Sequence, residues 1–286
     1  MSGLTKGRFD LVQSYEQISS GRKVLKASDD PVVSARILDM QRNLANIEQS
    51  ERHAVTALND LSNEEAVLTQ VQSLILRSRS LMLQGANGTQ GTENKTMIAS
   101  ELNQILEQVV DLANSLNSDG AYVFSGYKAD EAAYSFTRDA NDNIVSVVYE
   151  GDSNSIEKTV SPTLKVKTSH PGTEVFGNAP DDLFAQLIQA RDDLNSDIEP
   201  SNIPELDDIY TLVTGGITDI GNRTNQVESA QDVNESVYLN QTAALGRIRD
   251  LDLPSAIAEF TQLEVNMQAI NNTFAKVATT SLFDYL

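Results

Sequence analysis

The chain of 286 residues contains no cysteine and no tryptophan, and only 6% of its residues are aromatic. The absence of cysteine excludes disulfide bonds, and it excludes zinc or iron–sulfur sites that use thiolate ligands. Because large aromatic side chains fill the interior of thick globular domains, their scarcity favours long helices that pack in pairs or bundles.

Long apolar segments are also missing. The sequence has no run of about 18 apolar residues, so it predicts no membrane-spanning helix. The segment Met1–Lys6 lacks the apolar region of a secretory signal peptide. If the protein leaves the cytoplasm, we expect it to use a route that needs no such signal.

Basic side chains are scarce relative to acidic ones. Against 41 Asp and Glu there are 21 Lys and Arg, which gives a formal net charge of −20 at pH 7. A negative field of this size repels both phosphate backbones and anionic lipids. The composition therefore argues against nucleic acid as a partner and against binding to an anionic membrane surface. Because a long apolar run is also missing, we expect no membrane insertion.

Composition divides the chain into three parts. Residues 1–119 and 181–286 are rich in Leu, Ile, Ala, Gln, Asn and Glu and contain few prolines. Residues 120–180 are rich in Tyr, Val, Thr, Ser and Gly. We therefore expect a mainly α fold, in which a long coiled-coil-like helical trunk from both termini carries an inserted small β domain.

Apolar residues recur at alternating spacings of three and four along the predicted trunk. The clearest series run from Ile37 to Met82, from Ile98 to Leu116 and from Phe260 to Val277. A fainter series crosses the N-terminal segment. This alternation keeps an apolar seam on one face of a helix, as in coiled coils.

Seams this close to both chain ends need a partner. A lone terminal helix is marginal in water, whereas each buried Leu, Ile or Phe contributes roughly 1.5–3 kcal/mol. We therefore predict that the chain assembles with other chains through its termini. The expected assembly residues are Leu11, Ile18, Phe260, Leu263, Met267, Ile270, Phe274 and Val277.

Local signals mark the ends of the predicted elements. An aspartate before Pro31 is typical of a helix start, and we expect that helix to reach about Gln84. Gly120 is expected to end the next helix. Strands are expected at residues 144–149, 155–160 and 164–168, and residues 139–143 read as the turn before the first of them.

The residues with catalytic or metal-binding potential have simpler explanations. Neither His53 nor His170 has partners at the spacing of a Ser/His/Asp triad or a metal site. Adjacent aspartates fall at expected helix starts or on polar faces, where capping and solvation explain them. Asp139, Asn141 and Asn143 open like a calcium loop but lack its glycine and closing glutamate, which favours a hairpin turn. We expect no enzymatic activity, no cofactor and no metal.

Four stretches of the sequence carry a family resemblance. They are Gln17–Val24 followed by Ser28–Pro31, then Gly120–Tyr127, then Pro171–Gly177, and a C-terminal third with Ile220–Arg223, Asp250–Pro254 and Ser281–Leu286. Together they resemble the family of flagellins and flagellar hook–filament junction proteins. The ending Ser281–Leu286 resembles junction proteins more than flagellins, which usually end on a leucine-rich tail with a terminal arginine.

The resemblance implies that the discontinuous terminal helices pack together with the β domain outside. Residues 1–119 are then the N-terminal trunk, residues 120–180 the outer insert, and residues 181–286 the C-terminal trunk with the polymerisation segment. It implies secretion to the flagellum by type III export on an uncleaved signal, with a chaperone bound near the C-terminus beforehand. It further implies a ring of copies at the hook–filament junction, between the first hook-associated protein and flagellin.

Two other functions fit the same features. A short flagellin would use the same terminal seams as the filament subunit itself. A secreted coiled-coil adhesin or binding module would oligomerise without any association with hooks.

Overall fold

A computed structural model of the protein describes residues 3–87 and 91–279, except for the side chains of residues 3, 4, 274, 275 and 277–279. The helices are α1 (Gly3–Ser20), α2 (Pro31–Gly85), α3 (Thr92–Ala113), α4 (Gly172–Val175), α5 (Leu183–Asn195), α6 (Ile203–Arg249) and α7 (Leu253–Thr279). The strands are β1 (Tyr134–Arg138), β2 (Ile144–Tyr149), β3 (Glu157–Ser161) and β4 (Leu164–Lys167). This order confirms the predicted fold class of long terminal helices with a small inserted β region. The ending Ser281–Leu286 lies outside the described residues.

The start of α2 follows from its capping residue. The Asp30 side chain accepts hydrogen bonds from the backbone N–H groups of Val32 and Val33, at 3.1 and 2.9 Å. It thereby satisfies two of the donors that the first turn of a helix leaves free. Pro31, which has no N–H, occupies the first helical position at no cost in hydrogen bonds. The predicted helix from Pro31 to about Gln84 is confirmed.

The end of α3 was predicted wrongly. The helix ends at Ala113 and not near Gly120, although the apolar spacing continues to Leu116. The cause is Asn114, whose side-chain amide donates to the carbonyl of Tyr134 and accepts from its N–H, both at 2.9 Å. This pairing joins the chain after the helix to β1, and Leu116 is left half exposed.

The β region contains two antiparallel hairpins, β1–β2 and β3–β4. The predicted bounds of β2 are confirmed, and β3 and β4 differ from their predictions by one or two residues. The predicted turn joins β1 to β2, because Asp139 accepts from the N–H groups of Asn141 and Asn143 at 2.8 and 2.9 Å. The sequence did not predict β1, of which only Tyr134 is buried.

Two of the resembling stretches meet in the core behind these hairpins. Phe124, from the first, packs edge-on against Phe176, from the second, with ring centroids 5.0 Å apart. The N–H of Gly172 donates to the carbonyl of Phe124 at 2.9 Å. Tyr134 adds a ring 4.6 Å from that of Phe184 on α5. Four aromatic side chains therefore pack together where the β region joins the helices.

The chain divides into two compact units. The first consists of Met1–Glu48 with Glu235–Leu286, and the second consists of Gln49–Asn234. Both boundaries fall inside long helices, within α2 and within α6. All four strands belong to the second unit, whereas α1 and α7 belong to the first.

Candidate assembly surface

In the first unit, α1 and α7 pack against each other. The ring of Tyr15 lies 6.5 Å from that of Phe260, measured between centroids. Near the other end of the pair, Gly7 approaches Met267 so closely that a Cβ on the glycine would lie 3.3 Å from the methionine sulfur. From the first contact to the second, the residue number falls from 15 to 7 along α1 and rises from 260 to 267 along α7, so the two helices run antiparallel.

The predicted assembly residues lie on this helix pair. Leu11 and Ile18 are half-buried on α1, and Phe260, Leu263 and Met267 are half-buried on α7, while Ile270 is more exposed. Phe274 and Val277 also belong to α7, but their side chains lie outside the described residues. The structure thus brings together seams from the two ends of one chain. The part of these residues in contacts between chains stays a prediction.

Other apolar residues on the same two helices face solvent. Phe9, Val12 and Tyr15 on α1 are each more than half exposed, as are Ile257 and Val265 on α7. We call these five residues the terminal apolar surface. Exposed apolar residues on one pair of packed helices are a candidate interaction site.

Sequence reasoning missed most of the terminal apolar surface. The alternation of three and four selects a single stripe per helix, and Phe9 and Val12 lie off that stripe. Phe9 and Val12 are three residues apart, as are Val12 and Tyr15, and this spacing is itself a signal, because residues three apart are neighbours on a helix surface. A search for a second stripe beside the first would have found them.

A short backbone bridge fixes where α1 ends and α7 begins. The N–H of Lys23 donates to the carbonyl of Arg249 at 2.7 Å, and the N–H of Leu251 donates to the carbonyl of Gly21 at 2.9 Å. Gly21 ends α1 with a φ of +68°, the left-handed conformation in which glycine carries no penalty. Two resembling stretches far apart in sequence therefore lie side by side.

The second unit contains the histidines that the sequence offered as chemical candidates. His53 Nδ1 lies 3.3 Å from the carbonyl oxygen of Thr159. His170 is buried, with Nδ1 2.8 Å from Glu64 Oε1 and Nε2 3.1 Å from Asp219 Oδ2. The sequence did not predict these two carboxylate partners of His170, because both are distant in sequence.

Several forces act on the pKa of His170. Burial is the largest, and it lowers the pKa by disfavouring the charged ring. The hydrogen bond and the negative charge of Glu64 oppose it, with help from Asp219, while the charge of Arg223 again lowers the pKa. The net result is a pKa above the ordinary value for histidine.

The aspartates serve structural purposes. Asp182 caps α5 by accepting from the N–H of Ala185 at 2.8 Å, and burial raises its pKa. Hydrogen bonds from the backbone of Asn143 and Asn141 lower the pKa of Asp139 in the hairpin turn. Among the described residues, no group of three or more His, Asp or Glu side chains is placed to hold a metal ion. No described helix is long and apolar enough to cross a membrane.

Comparison with known proteins finds similarity to flagellar proteins. Residues 1–129 match the family described as bacterial flagellin N-terminal helical region. The chain is 24% identical over 309 aligned positions to flagellar hook-associated protein 3 of Salmonella typhimurium, covering 99% of this chain and 95% of that protein. It is 23% identical over 266 positions to a flagellin of Bacillus subtilis, covering 90% of this chain and 86% of the flagellin.

The fold is shared with a solved structure. Flagellar hook-associated protein 3 of Legionella pneumophila superposes on this chain with a TM-score of 0.67, at 17% sequence identity. The superposition covers 74% of this chain and 98% of the Legionella chain.

Proposed function

We propose, from this homology to flagellar hook-associated protein 3, that the protein is a structural subunit of the bacterial flagellum that joins the hook to the flagellin filament. The observation that carries the proposal is the alignment with hook-associated protein 3, which spans 99% of this chain and 95% of the relative. The flagellin-type helical region over residues 1–129 is what a subunit in contact with flagellin requires. A junction subunit acts by its contacts alone, so we propose no enzymatic activity.

The terminal helices supply the contacts in this proposal. The half-buried seam between α1 and α7 holds the two ends of one chain together, through close approaches such as that of Gly7 to Met267. The terminal apolar surface then faces neighbouring subunits. Burial of each such side chain contributes roughly 1.5–3 kcal/mol, so five per subunit supply a substantial part of the association energy. Ile270 and the predicted residues Phe274 and Val277 extend the same helix toward its end.

The partners follow from a position at the junction. Copies of this chain form a ring through their terminal helices, with the first hook-associated protein on one side and flagellin on the other. The β insert of residues 120–180 lies on the outside of the assembly. We propose export through the flagellar pathway without a cleaved signal, and a cytoplasmic chaperone that covers α7, because exposed side chains such as Ile257 and Val265 would otherwise associate early.

A short flagellin is the second candidate function. It is favoured by the alignment with the Bacillus flagellin and by the flagellin-type region at the N-terminus. The ending Ser281–Leu286 argues against it, because this ending resembles junction proteins. The two candidates also differ in abundance, since a junction protein is a trace component of sheared filaments and a flagellin is the main one.

Deletion of the gene tests the proposal when both the cell surface and the medium are assayed. Bare hooks together with flagellin monomers in the medium are expected if this protein joins the filament to the hook. Bare hooks with the main filament protein absent from cells and medium would instead identify this protein as the flagellin. Normal filaments and normal swimming would refute both flagellar functions and favour the coiled-coil binding module.

A further inference from the structure

His170 lies at the meeting point of three segments of the second unit. On one side, Glu64 of α2 uses a single oxygen, Oε1, to accept from the His170 backbone N–H at 2.9 Å and to contact the ring Nδ1 at 2.8 Å. On the other side, Asp219 of α6 lies 3.1 Å from the ring Nε2. The histidine itself belongs to the segment that leaves β4 and enters α4.

The positions of the two carboxylates select the protonation state of the ring. A neutral imidazole donates from one nitrogen only and presents a lone pair on the other, whereas the imidazolium donates from both. Here each ring nitrogen faces a carboxyl oxygen, so when both carboxyl groups are ionised only the imidazolium donates to both. A neutral ring would set a lone pair against one of the carboxylates.

The charge on His170 matters because its partner Glu64 is buried. The Glu64 side chain is fully buried, and its second oxygen, Oε2, has no hydrogen-bond partner within the described part of the chain. Asp219 is about half exposed, and it also pairs with Arg223, which lies one turn further along α6. The guanidinium of Arg223 in turn reaches the carbonyl of Lys167 at 3.4 Å. When His170 is charged, it and Arg223 place two cations beside Glu64 and Asp219, and when the ring is neutral Glu64 has no cationic partner in this group.

We propose that His170 is a pH-sensitive latch, which joins α2 and α6 to the segment after β4 while its ring is charged and releases that segment when the ring loses its proton. The charged groups that face the ring are Glu64 from α2 and Asp219 and Arg223 from α6. This proposal concerns the second unit alone and does not depend on the flagellar function.

The direction of the pH dependence follows from the pKa of His170, which lies above its ordinary value. A group with a raised pKa in the folded state stabilises that state fully at pH values below the unfolded pKa, about 6.5 for histidine. That stabilisation is lost as the pH rises through the folded pKa. The latch is therefore closed in acid and at the lower end of the neutral range, and it opens toward alkaline pH.

Urea unfolding measured across this range tests the latch. The wild-type protein, His170→Gln and His53→Gln are unfolded at a series of pH values from about 5 to about 9, with helix loss followed by circular dichroism. His53→Gln is the matched control, because its imidazole contacts a backbone carbonyl and not a carboxylate. We expect the unfolding midpoint of the wild type and of His53→Gln to fall as the pH rises above about 6.5. His170→Gln should lack this fall, and a parallel fall in His170→Gln would overturn the proposal.

A second measurement applies even if His170→Gln does not fold. The chain has two histidines, so NMR of the wild-type ring protons gives two titration curves, which the His53→Gln spectrum assigns. We expect the His170 curve to have its midpoint above about 6.5, and we expect Asp219→Asn to move that midpoint downward. A midpoint at or below the ordinary value in the folded wild type would also overturn the proposal.

Discussion

Alanine at Gly216 of α6 should destabilise the protein, whereas alanine at the adjacent Gly215 should stabilise it. A Cβ at Gly216 would lie 2.9 Å from Val175 Cγ1 on α4 and 3.3 Å from Leu68 Cδ1 on α2. A Cβ at Gly215 would meet nothing within 4 Å. The two substitutions are chemically identical and share one helix, so they differ only in what the new methyl group meets.

The magnitudes follow from two opposing effects. Replacing glycine by alanine within a helix stabilises the helix by about 0.8–1.0 kcal/mol, and this gain applies at both positions. Overpacking of a tight contact costs about 1–3 kcal/mol, and this cost applies at Gly216 alone. We therefore expect Gly215→Ala to raise the free energy of unfolding by about 1 kcal/mol. Gly216→Ala should lower it by roughly 0–2 kcal/mol, the overpacking cost less the helix gain.

Urea unfolding followed by circular dichroism measures both changes against the wild type. Gly221→Ala serves as a control, because a Cβ at Gly221 also meets nothing within 4 Å, and it should behave like Gly215→Ala. If Gly216→Ala were as stabilising as Gly215→Ala, the close packing of α6 against α2 and α4 at this level would be wrong. Destabilisation by Gly215→Ala would refute the open environment assigned to that position.

Substitutions at four further positions test the first unit and the proposed assembly. Gly21→Ala should cost about 1–2 kcal/mol of unfolding free energy, because its φ of +68° is unfavourable for a residue with a Cβ, and Gly21→Asn should cost less. Asp30→Ala should lower the unfolding free energy by about 1 kcal/mol, because α2 loses its cap. Asp30→Ser should restore that stability, since serine also caps helices. Equal stability of the two variants would contradict the capping role. Phe9→Asp should leave the circular dichroism of the monomer unchanged but block incorporation into flagella, because assembly would bury an unpaired charge. Phe274→Asp should block incorporation in the same way. Normal incorporation of Phe9→Asp would show that this residue is not part of the interface.

Elements with local signals were predictable from the sequence. The start of α2 depends on Asp30 and Pro31, which act within one turn, and its length depends on apolar spacing that continues along the helix. The turn at residues 139–143 depends on an aspartate that binds the backbone N–H groups two and four residues ahead. In each case the residues that determine the structure are neighbours in sequence.

Features set by distant residues were not predictable. The end of α3 depends on Asn114 binding the backbone of Tyr134, which overrides an apolar pattern that continues past the helix. The environment of His170 depends on Glu64, which is 106 residues away in sequence. Periodicity likewise located the terminal seams without showing that Tyr15 and Phe260 contact each other within one chain.

The bridge between Arg22 and Asp250 has a consequence for the order in which the protein folds. The second unit is a continuous stretch of chain, whereas the first is made from both ends of the chain. A chain delivered from its N-terminus therefore has the whole of Gln49–Asn234 available before α7 emerges. Until then α1 lacks its partner, and closing so long a loop carries an entropic cost that local contacts do not. The first unit therefore completes its folding only after the C-terminal part of the chain has emerged.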